Sequence, residues 1–267
     1  MRKSLRLCTL LTALLLLFTA SARAAGKASA TPTPAPREIE TAVVEEIPET
    51  IQKLLDLAYA EMIETDAAEL KEKNKYTKWR NNGSYGWCGG FITWCMLELG
   101  VPQQEWAKTP KEEVPGIVQV KEAGVGKLVT GYTRMSRLSV IPQKGFIVVY
   151  GNGKKFKGSI GATPYYHVGL VYDVEELSPG KYRLTTIEGN VDTPRSKEYK
   201  HAAHTVRMYI RDYDMNAEKK QNLTLVPEEE RTREETKLFS YDYTYGNENL
   251  YVTMFLMPWI PGETEVE

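Results

Sequence analysis

A cysteine at the start of a short amphipathic helix is the feature that most constrains this chain. In the segment YGWCGGFITWC, residues 85–95, Cys88 follows a glycine-bearing loop and precedes apolar residues at helical spacing. Gly100 and Pro102 mark the end of the predicted helix. Backbone N–H groups without intrahelical partners and the helix dipole favour a thiolate in a first helical turn. Because a thiolate attacks carbonyl carbon, Cys88 is a candidate nucleophile.

The N-terminal residues have the layout of a secretory signal peptide. Arg2, Lys3 and Arg6 precede an apolar run over residues 7–20, and a small-x-small site predicts cleavage after Ala24. The run is shorter than the roughly 20 residues that a membrane-spanning helix needs. We therefore predict a secreted protein with no stable membrane span after processing, rather than one held by an uncleaved anchor.

The net charge and the number of cysteines restrict the classes of function that this protein can have. Cleavage would remove four basic residues and leave 30 Lys and Arg against 35 Asp and Glu, a net charge of −5. Nucleic-acid binders usually carry a basic surplus, so no nucleic-acid partner is expected. Only Cys88 and Cys95 would remain, and on one straight helix their sulfurs would lie on the order of 10 Å apart, too far for a disulfide. An unpaired cysteine kept outside the cell is consistent with catalysis.

Composition and hydrophobic patterning divide the chain into five parts. We predict a signal peptide over residues 1–24, a flexible Ala/Pro/Thr linker over 25–38, an N-terminal helical segment over 39–75, a catalytic core over 76–262 and an acidic tail over 263–267.

The second half of the chain is dominated by alternating hydrophobic patterns, which are typical of strands. The five predicted strands cover residues 145–151, 165–174, 182–187, 205–212 and 250–260. A Ser-Pro-Gly turn at 178–180 joins the second and third as a hairpin. Helices followed by an antiparallel sheet predict an α+β domain. A nucleophile on a helix, followed in the chain by partners on a sheet, resembles papain-like architecture.

Two other regions lack a clear pattern. The polar stretch 101–140 is expected to hold short helices near residues 105–107 and 116–123. The charged stretch 214–240 is expected to form a solvated helical excursion between strands.

A nucleophilic cysteine needs a base close by, and His167 is the best candidate among three histidines. It lies in a predicted strand and shares a face with Gly169 and Val171. Glu188 and Asn190 end the next predicted strand, and their two-residue spacing puts them on one face. Either side chain could accept a hydrogen bond from the imidazole and fix its tautomer. An isolated histidine in a strand is more often a core residue. The joint placement of His167, Glu188 and Asn190 favours a catalytic site.

The remaining histidines do not form a convincing metal site. His201 and His204 have a spacing that could put two ligands on a helix, but no clear third ligand is near them in the sequence. Asp212 and Asp214 form a pair too short for a calcium site. We therefore predict no metal and no cofactor.

Five sequence blocks in order resemble the CHAP domain, a branch of the papain-fold cysteine hydrolases. They are NKYTKW (74–79), WCGGFITWC (87–95), IPQKGFIVVY (141–150), YYHVGLV (165–171) and IEGN (187–190). The resemblance covers about residues 50–260. It implies a bacterial enzyme at the cell wall that cuts peptidoglycan, either as an N-acetylmuramoyl-L-alanine amidase or as an endopeptidase acting on stem peptides or cross-bridges.

The resemblance also implies a role for each candidate residue. Cys88 would be the nucleophile, His167 the general base, Glu188 the orienting acid and Asn190 a supporting polar group. Four aromatic residues flank these positions and could bind a peptidoglycan or muropeptide substrate, although core packing is an equally good interpretation of them: Trp79, Tyr85, Trp87 and Tyr165.

Two alternatives stay open at the level of sequence. The same fold could serve as a non-catalytic wall-binding or scaffold module, or a cysteine peptidase of this type could act on another peptide substrate. The sequence does not fix the bond that is cut or the oligomeric state.

Overall fold

The structure is a computed structural model and describes residues 43–66, 73–80, 86–104, 114, 116–158, 161–192, 204–236 and 249–263. All of these residues belong to one unit of the chain, residues 34–267. The predicted signal peptide, the predicted linker, Tyr85, His201 and nearly all of the predicted acidic tail lie outside the described residues. Within the described ranges, no helix combines the length and the apolar character needed to cross a membrane.

A seven-stranded antiparallel sheet forms the centre of the described fold, with the strand order β1-β7-β2-β3-β4-β5-β6. Its strands are β1 Leu138–Ser139, β2 Ile147–Gly158, β3 Gly161–Ser178, β4 Lys181–Asp192, β5 His204–Asp214, β6 Leu223–Leu225 and β7 Tyr251–Leu256. All five predicted strands are present. The predicted hairpin is confirmed as well, because Ser178 pairs with Lys181 and Gly180 adopts a φ of 77° in the turn.

The sheet is strongly curled. Three strands separate β5 from β7, which in a flat sheet would hold them about 19 Å apart at the usual strand spacing. Yet the rings of Tyr213 on β5 and Phe255 on β7 are 5.6 Å apart. The side-chain amide of Asn222 also bonds to both the N–H and the carbonyl of Val252 on β7. The curl gives the sheet a concave face on which residues from distant strands can meet.

The first helix, α1, spans Glu49–Asp66 and is shorter than the predicted helical segment. The carbonyl of Pro48 accepts the bond from Gln52 N–H, so the helix begins directly after the proline. A residue that precedes proline is disfavoured in the helical region, which explains why the helix does not extend back through Ile47. One apolar face of α1 is buried in the core: Ile51, Leu54, Leu55, Ala58 and Met62.

The nucleophile helix, α3, spans Cys88–Glu98, as its sequence predicts. It ends at Gly100, which has a φ of 69°. The N–H of Gly100 bonds to the carbonyl of Leu97, and that of Val101 bonds to the carbonyl of Met96. These two bonds are the Schellman arrangement that terminates a helix at glycine. A four-residue helix, α2 Lys75–Lys78, precedes α3.

The region between α3 and the sheet differs from its prediction. Residues 105–107 lie outside the described residues, and the helix predicted near 116–123 is wrong. Residues 116–123 contain no helix. Gln119 forms an isolated bridge to Gln103, and the N–H of Val118 bonds to the carbonyl of the distant residue Pro258. The helix instead follows as α4, Val125–Arg134.

The charged stretch that begins at residue 214 also differs from its prediction. Through residue 236 it contains no α-helix, and residues 237–240 lie outside the described part. It forms β6 and three 3₁₀ turns, at Lys219–Gln221, Glu228–Glu230 and Glu234–Thr236. Arg231 is buried within it and donates to the carbonyls of Val226 and Thr236. These side-chain bonds to backbone oxygens stabilise the non-helical conformation of the segment.

Candidate active site

The structure brings Cys88, His167 and Glu188 together from three elements. Cys88 is the first residue of α3, His167 lies near the beginning of β3, and Glu188 lies on the neighbouring strand β4. The first turn of α3 packs closely against the segment before α4. A Cβ atom on Gly89 would collide with the carbonyl oxygen of Ala123, so the absence of a side chain there permits this approach.

Cys88 is 6 % exposed, and the pKa of its thiol is lowered. Burial raises the pKa of this thiol, but hydrogen bonding to His167, the charge of His167 and the backbone N–H groups of Val168 and Gly89 outweigh burial. The net result is a lowered pKa for Cys88. Its position in the first turn of a helix adds a favourable dipole.

His167 connects the thiol to a carboxylate. Its Nε2 atom donates to Oε2 of Glu188 at 3.0 Å, which leaves Nδ1 as the ring nitrogen for Cys88. Burial lowers the pKa of His167, but the hydrogen bonds and charges of Cys88 and Glu188 outweigh it and raise the pKa to about 10. A lowered pKa on the thiol and a raised one on the imidazole together favour a thiolate–imidazolium pair.

Glu188 is 1 % exposed, and both of its oxygens are occupied. Oε2 accepts from His167, while Oε1 accepts from Tyr150 Oη at 3.0 Å, from Thr186 Oγ1 at 2.6 Å and from Arg211 Nη1 at 2.6 Å. Burial raises the pKa of Glu188, but the charge of Arg211 and the bond to His167 outweigh it and hold that pKa far below its ordinary value. The carboxylate is therefore ionised whenever the site is folded at neutral pH.

Sequence reasoning missed the three groups around Oε1 of Glu188. Alternation along β5 does place Arg207, Tyr209 and Arg211 on one face, and an arginine on a strand with two buried faces is unusual. The pairing of Leu184 with Arg211, and the curl that brings in Tyr150 from β2, are properties of the whole sheet. The sequence pattern around Glu188 shows neither this pairing nor this curl.

Asn190 does not continue the alternation that places Glu188. The pairing of β4 with β5 shifts register between Glu188 and Val191, and Asn190 has a left-handed φ of 59°. This β-bulge interrupts the shared face that a two-residue spacing predicts. The amide Nδ2 of Asn190 instead lies beside Gly86, 3.6 Å from where a Cβ of that residue would stand. Asn190 therefore faces the loop that enters α3.

The aromatic candidates have different environments. Trp87 is 0 % exposed and stacks on Tyr76 with ring centroids 5.0 Å apart, which agrees with the core packing given above as the alternative to substrate binding. Trp87 is the residue before the first turn of α3, and its ring packs in the core. Trp79 and Tyr165 are partly buried. Tyr85 lies outside the described residues.

The other acidic and histidine candidates have ordinary surroundings. His204 begins β5, so it does not lie on a helix. Asp212 pairs with Arg183, and Asp214 pairs with Lys181. Among the residues that the structure describes, no group of three or more His, Cys, Asp or Glu side chains is placed to hold a metal ion.

Comparison with known proteins gives one positive result. The family model of the CHAP domain matches residues 79–190. This range begins at the residue after α2, ends within β4 and includes Cys88, His167, Glu188 and Asn190. β5, β6 and β7 lie beyond the matched residues. No curated protein and no solved structure matched the chain. CHAP domains are generally cysteine-type hydrolases of the peptidoglycan hydrolase and amidase kind. Residues 79–190 of this chain therefore match the CHAP domain family.

Proposed function

We propose that this protein is a secreted peptidoglycan hydrolase that cleaves an amide bond through a thioester acyl-enzyme on Cys88. The observation that carries the proposal is the arrangement of Cys88, at the start of α3, and Glu188 around one imidazole, that of His167. Each of the three groups has a pKa moved in the direction that nucleophilic catalysis needs.

Acylation follows from the thiolate–imidazolium pair. The Cys88 thiolate attacks the amide carbonyl carbon, and the carbonyl oxygen takes up the negative charge of the tetrahedral intermediate. N–H groups of the first turn of α3 are candidate donors for this oxyanion, because they lack intrahelical partners. The imidazolium of His167 then gives its proton to the amide nitrogen. The C–N bond breaks, and the amine leaves a thioester on Cys88.

Deacylation uses the same groups in reverse. Neutral His167 takes a proton from water, whose oxygen attacks the thioester carbonyl carbon. The C–S bond breaks, the carboxylic acid product leaves, and the thiolate–imidazolium pair is restored. Glu188 keeps the imidazole oriented in both steps, since its Oε2 accepts from Nε2 while Nδ1 exchanges the proton.

The identity of the bond is tested by product analysis. Purified peptidoglycan is digested with the mature chain, residues 25–267, and the soluble products are analysed by mass spectrometry. Muramic acid with a free lactyl end and peptides that begin at L-Ala identify an amidase, whereas new ends inside the peptide identify an endopeptidase. Absence of cleavage on several wall types would contradict the proposal. It would favour another peptide substrate or a non-catalytic module.

Secretion is a separate part of the proposal, and the N-terminal sequence pattern supports it. Expression of the whole chain in a bacterial host with a general secretion pathway provides the test. We expect the exported protein to begin at Ala25, as determined by N-terminal sequencing. A protein that keeps residues 1–24 on the cytoplasmic side would contradict this part.

A further inference from the structure

We propose that Arg211 is a positioning residue for the catalytic group, holding Glu188 ionised and directed at His167 so that Cys88 stays a thiolate. Arg211 lies on β5, outside the residues that match the CHAP domain. The inference rests on the proposed role of Cys88 as nucleophile and extends the site by one strand.

The two carboxylate oxygens of Glu188 have different partners. Oε2 faces His167, and Oε1 is held at 2.6 Å by Nη1 of Arg211. The ion pair is almost completely removed from solvent, with side-chain exposures of 4 % for Arg211 and 1 % for Glu188. Solvent screening of this ion pair is therefore weak.

Arg211 also contacts two aromatic rings. Its guanidinium carbon lies 4.4 Å from the ring centre of Tyr209 and 5.2 Å from that of Tyr150. Nη1 also lies 3.1 Å from the hydroxyl oxygen of Tyr150. A cation that contacts two aromatic rings keeps its position without relying on the carboxylate alone. It can therefore set the position of Glu188 rather than follow it.

Several polar groups surround Glu188 from the packed strands. Tyr150 from β2, His167 from β3 and Thr186 from β4 donate to it. From β5, Arg211 donates to it, and Arg207 is its backbone pairing partner in the ladder.

The charges along the contact path alternate in sign and cancel. The thiolate of Cys88, the imidazolium of His167, the carboxylate of Glu188 and the guanidinium of Arg211 sum to zero. Without Arg211 the first three groups would carry one uncompensated negative charge inside the protein. Burying an uncompensated charge costs free energy. The three groups together would therefore bind a proton at a higher pH than they do with Arg211 present. The thiolate would then form only in more alkaline solution.

The test measures the reactivity of Cys88 directly and needs no wall substrate. The rate of alkylation of Cys88 by iodoacetamide is followed across pH by peptide-resolved mass spectrometry on the mature chain. In Arg211→Gln we expect the acid limb of this profile to move to higher pH by about one unit or more. In Arg211→Lys, which keeps the charge, we expect the limb to lie closer to that of the wild type.

Arg183→Gln is the matched control. Arg183 also joins β4 to β5 through a carboxylate, with Nε 2.8 Å from Oδ1 of Asp212, but this pair is partly exposed and distant along the strands from Glu188. We expect its alkylation profile to coincide with the wild-type profile. A folded Arg211→Gln protein, verified by circular dichroism, with an unshifted acid limb would overturn the inference.

A second variant keeps the test decisive if Arg211→Gln does not fold. Tyr150→Phe removes the hydroxyl that donates to Oε1 of Glu188 and accepts from Nη1 of Arg211, so it weakens the positioning of this ion pair without removing a charge. We expect a smaller upward shift of the same limb, and an unchanged profile would overturn the inference. The proposed function fails independently: a wild-type chain with a reactive thiolate that releases no wall fragments would refute hydrolysis and leave the result on Arg211 standing.

Discussion

Gly169 lies against the side chain of Glu188, and a Cβ atom at this position would require that side chain to shift. A Cβ atom on Gly169 would stand 2.7 Å from Cγ and 3.2 Å from Oε1 of Glu188. The adjacent pair Leu170 and Ile187 sets this register between β3 and β4. Because four polar groups hold Glu188, its side chain cannot swing aside freely. The glycine two residues after His167 therefore leaves room for the carboxylate that orients the imidazole.

The first prediction concerns Gly169→Ala. The added methyl group must push Glu188 away from His167, and displacements of this size can lower catalysis by about 10- to 100-fold. Overpacking should also lower the free energy of unfolding by about 1–3 kcal/mol. We expect both losses in measurements of kcat/KM and of urea unfolding. Gly124→Ala is the control, since that glycine is exposed with open space around its Cβ position. Equal activity in the two variants would contradict the packing argument.

Glu188→Gln should affect both activity and stability. Loss of the carboxylate removes the charge that supports imidazolium at His167, so kcat/KM should fall by about 10²- to 10⁴-fold. Arg211 would also lose its buried counter-charge, at a cost of about 3–5 kcal/mol in unfolding free energy.

Asp212→Asn is the matched control for Glu188→Gln. It removes the carboxylate of a partly exposed arginine pair between the same two strands. Its cost should not exceed about 1 kcal/mol. Chemical denaturation of both variants measures the difference. Similar costs would show that burial does not distinguish the two pairs.

The dependence of activity on pH follows from the two shifted pKa values. The active pair requires deprotonated Cys88, whose pKa is lowered chiefly by His167 against the effect of burial, and protonated His167, whose pKa is raised to about 10. The value of kcat/KM should rise with pH through an acid limb below the ordinary thiol range. It should then stay level and fall on an alkaline limb near pH 10. A single limb that rises near pH 8.5, as for an ordinary thiol, would rule out the ion pair.

Asn190→Gly isolates the amide of Asn190 from its backbone conformation. Glycine adopts a φ of 59° without strain, so stability should be preserved. The amide beside the loop into α3 is lost, and we expect kcat/KM to fall by about tenfold or more. The control is Asn249→Gly, because Asn249 is exposed and has a similar φ of 64°. Unchanged kinetics in Asn190→Gly would remove Asn190 from the site.

The elements predicted correctly are those whose signals are local. Cys88 begins α3 and Gly100 ends it because glycine supplies the left-handed residue that closes the helix. The turn through Gly180 and the two strands that it joins follow from alternation and turn chemistry. His167 and Glu188 could be paired because one hairpin separates them.

The elements that were missed or left open depend on tertiary packing. Arg211 reaches Glu188 only because β5 pairs with β4 in one particular register. Trp87 is turned into the core by its stacking on Tyr76, although its sequence position is next to the nucleophile. The segment that holds Val118 contains no helix, and the N–H of Val118 bonds to the carbonyl of the distant residue Pro258. None of these partners lies within the window that a sequence pattern covers.

Release of soluble fragments from purified peptidoglycan by three matched proteins tests the central claim most directly. They are the wild-type mature chain, Cys88→Ala and Cys95→Ala. Both cysteines are buried, and neither is in a disulfide. Only Cys88 bonds to His167, whereas burial and the charge of Glu61 raise the pKa of Cys95. We predict that the wild type and Cys95→Ala release fragments, and that Cys88→Ala is slower by at least about 1,000-fold. Release by Cys88→Ala at the wild-type rate would contradict the assignment of Cys88 as the nucleophile.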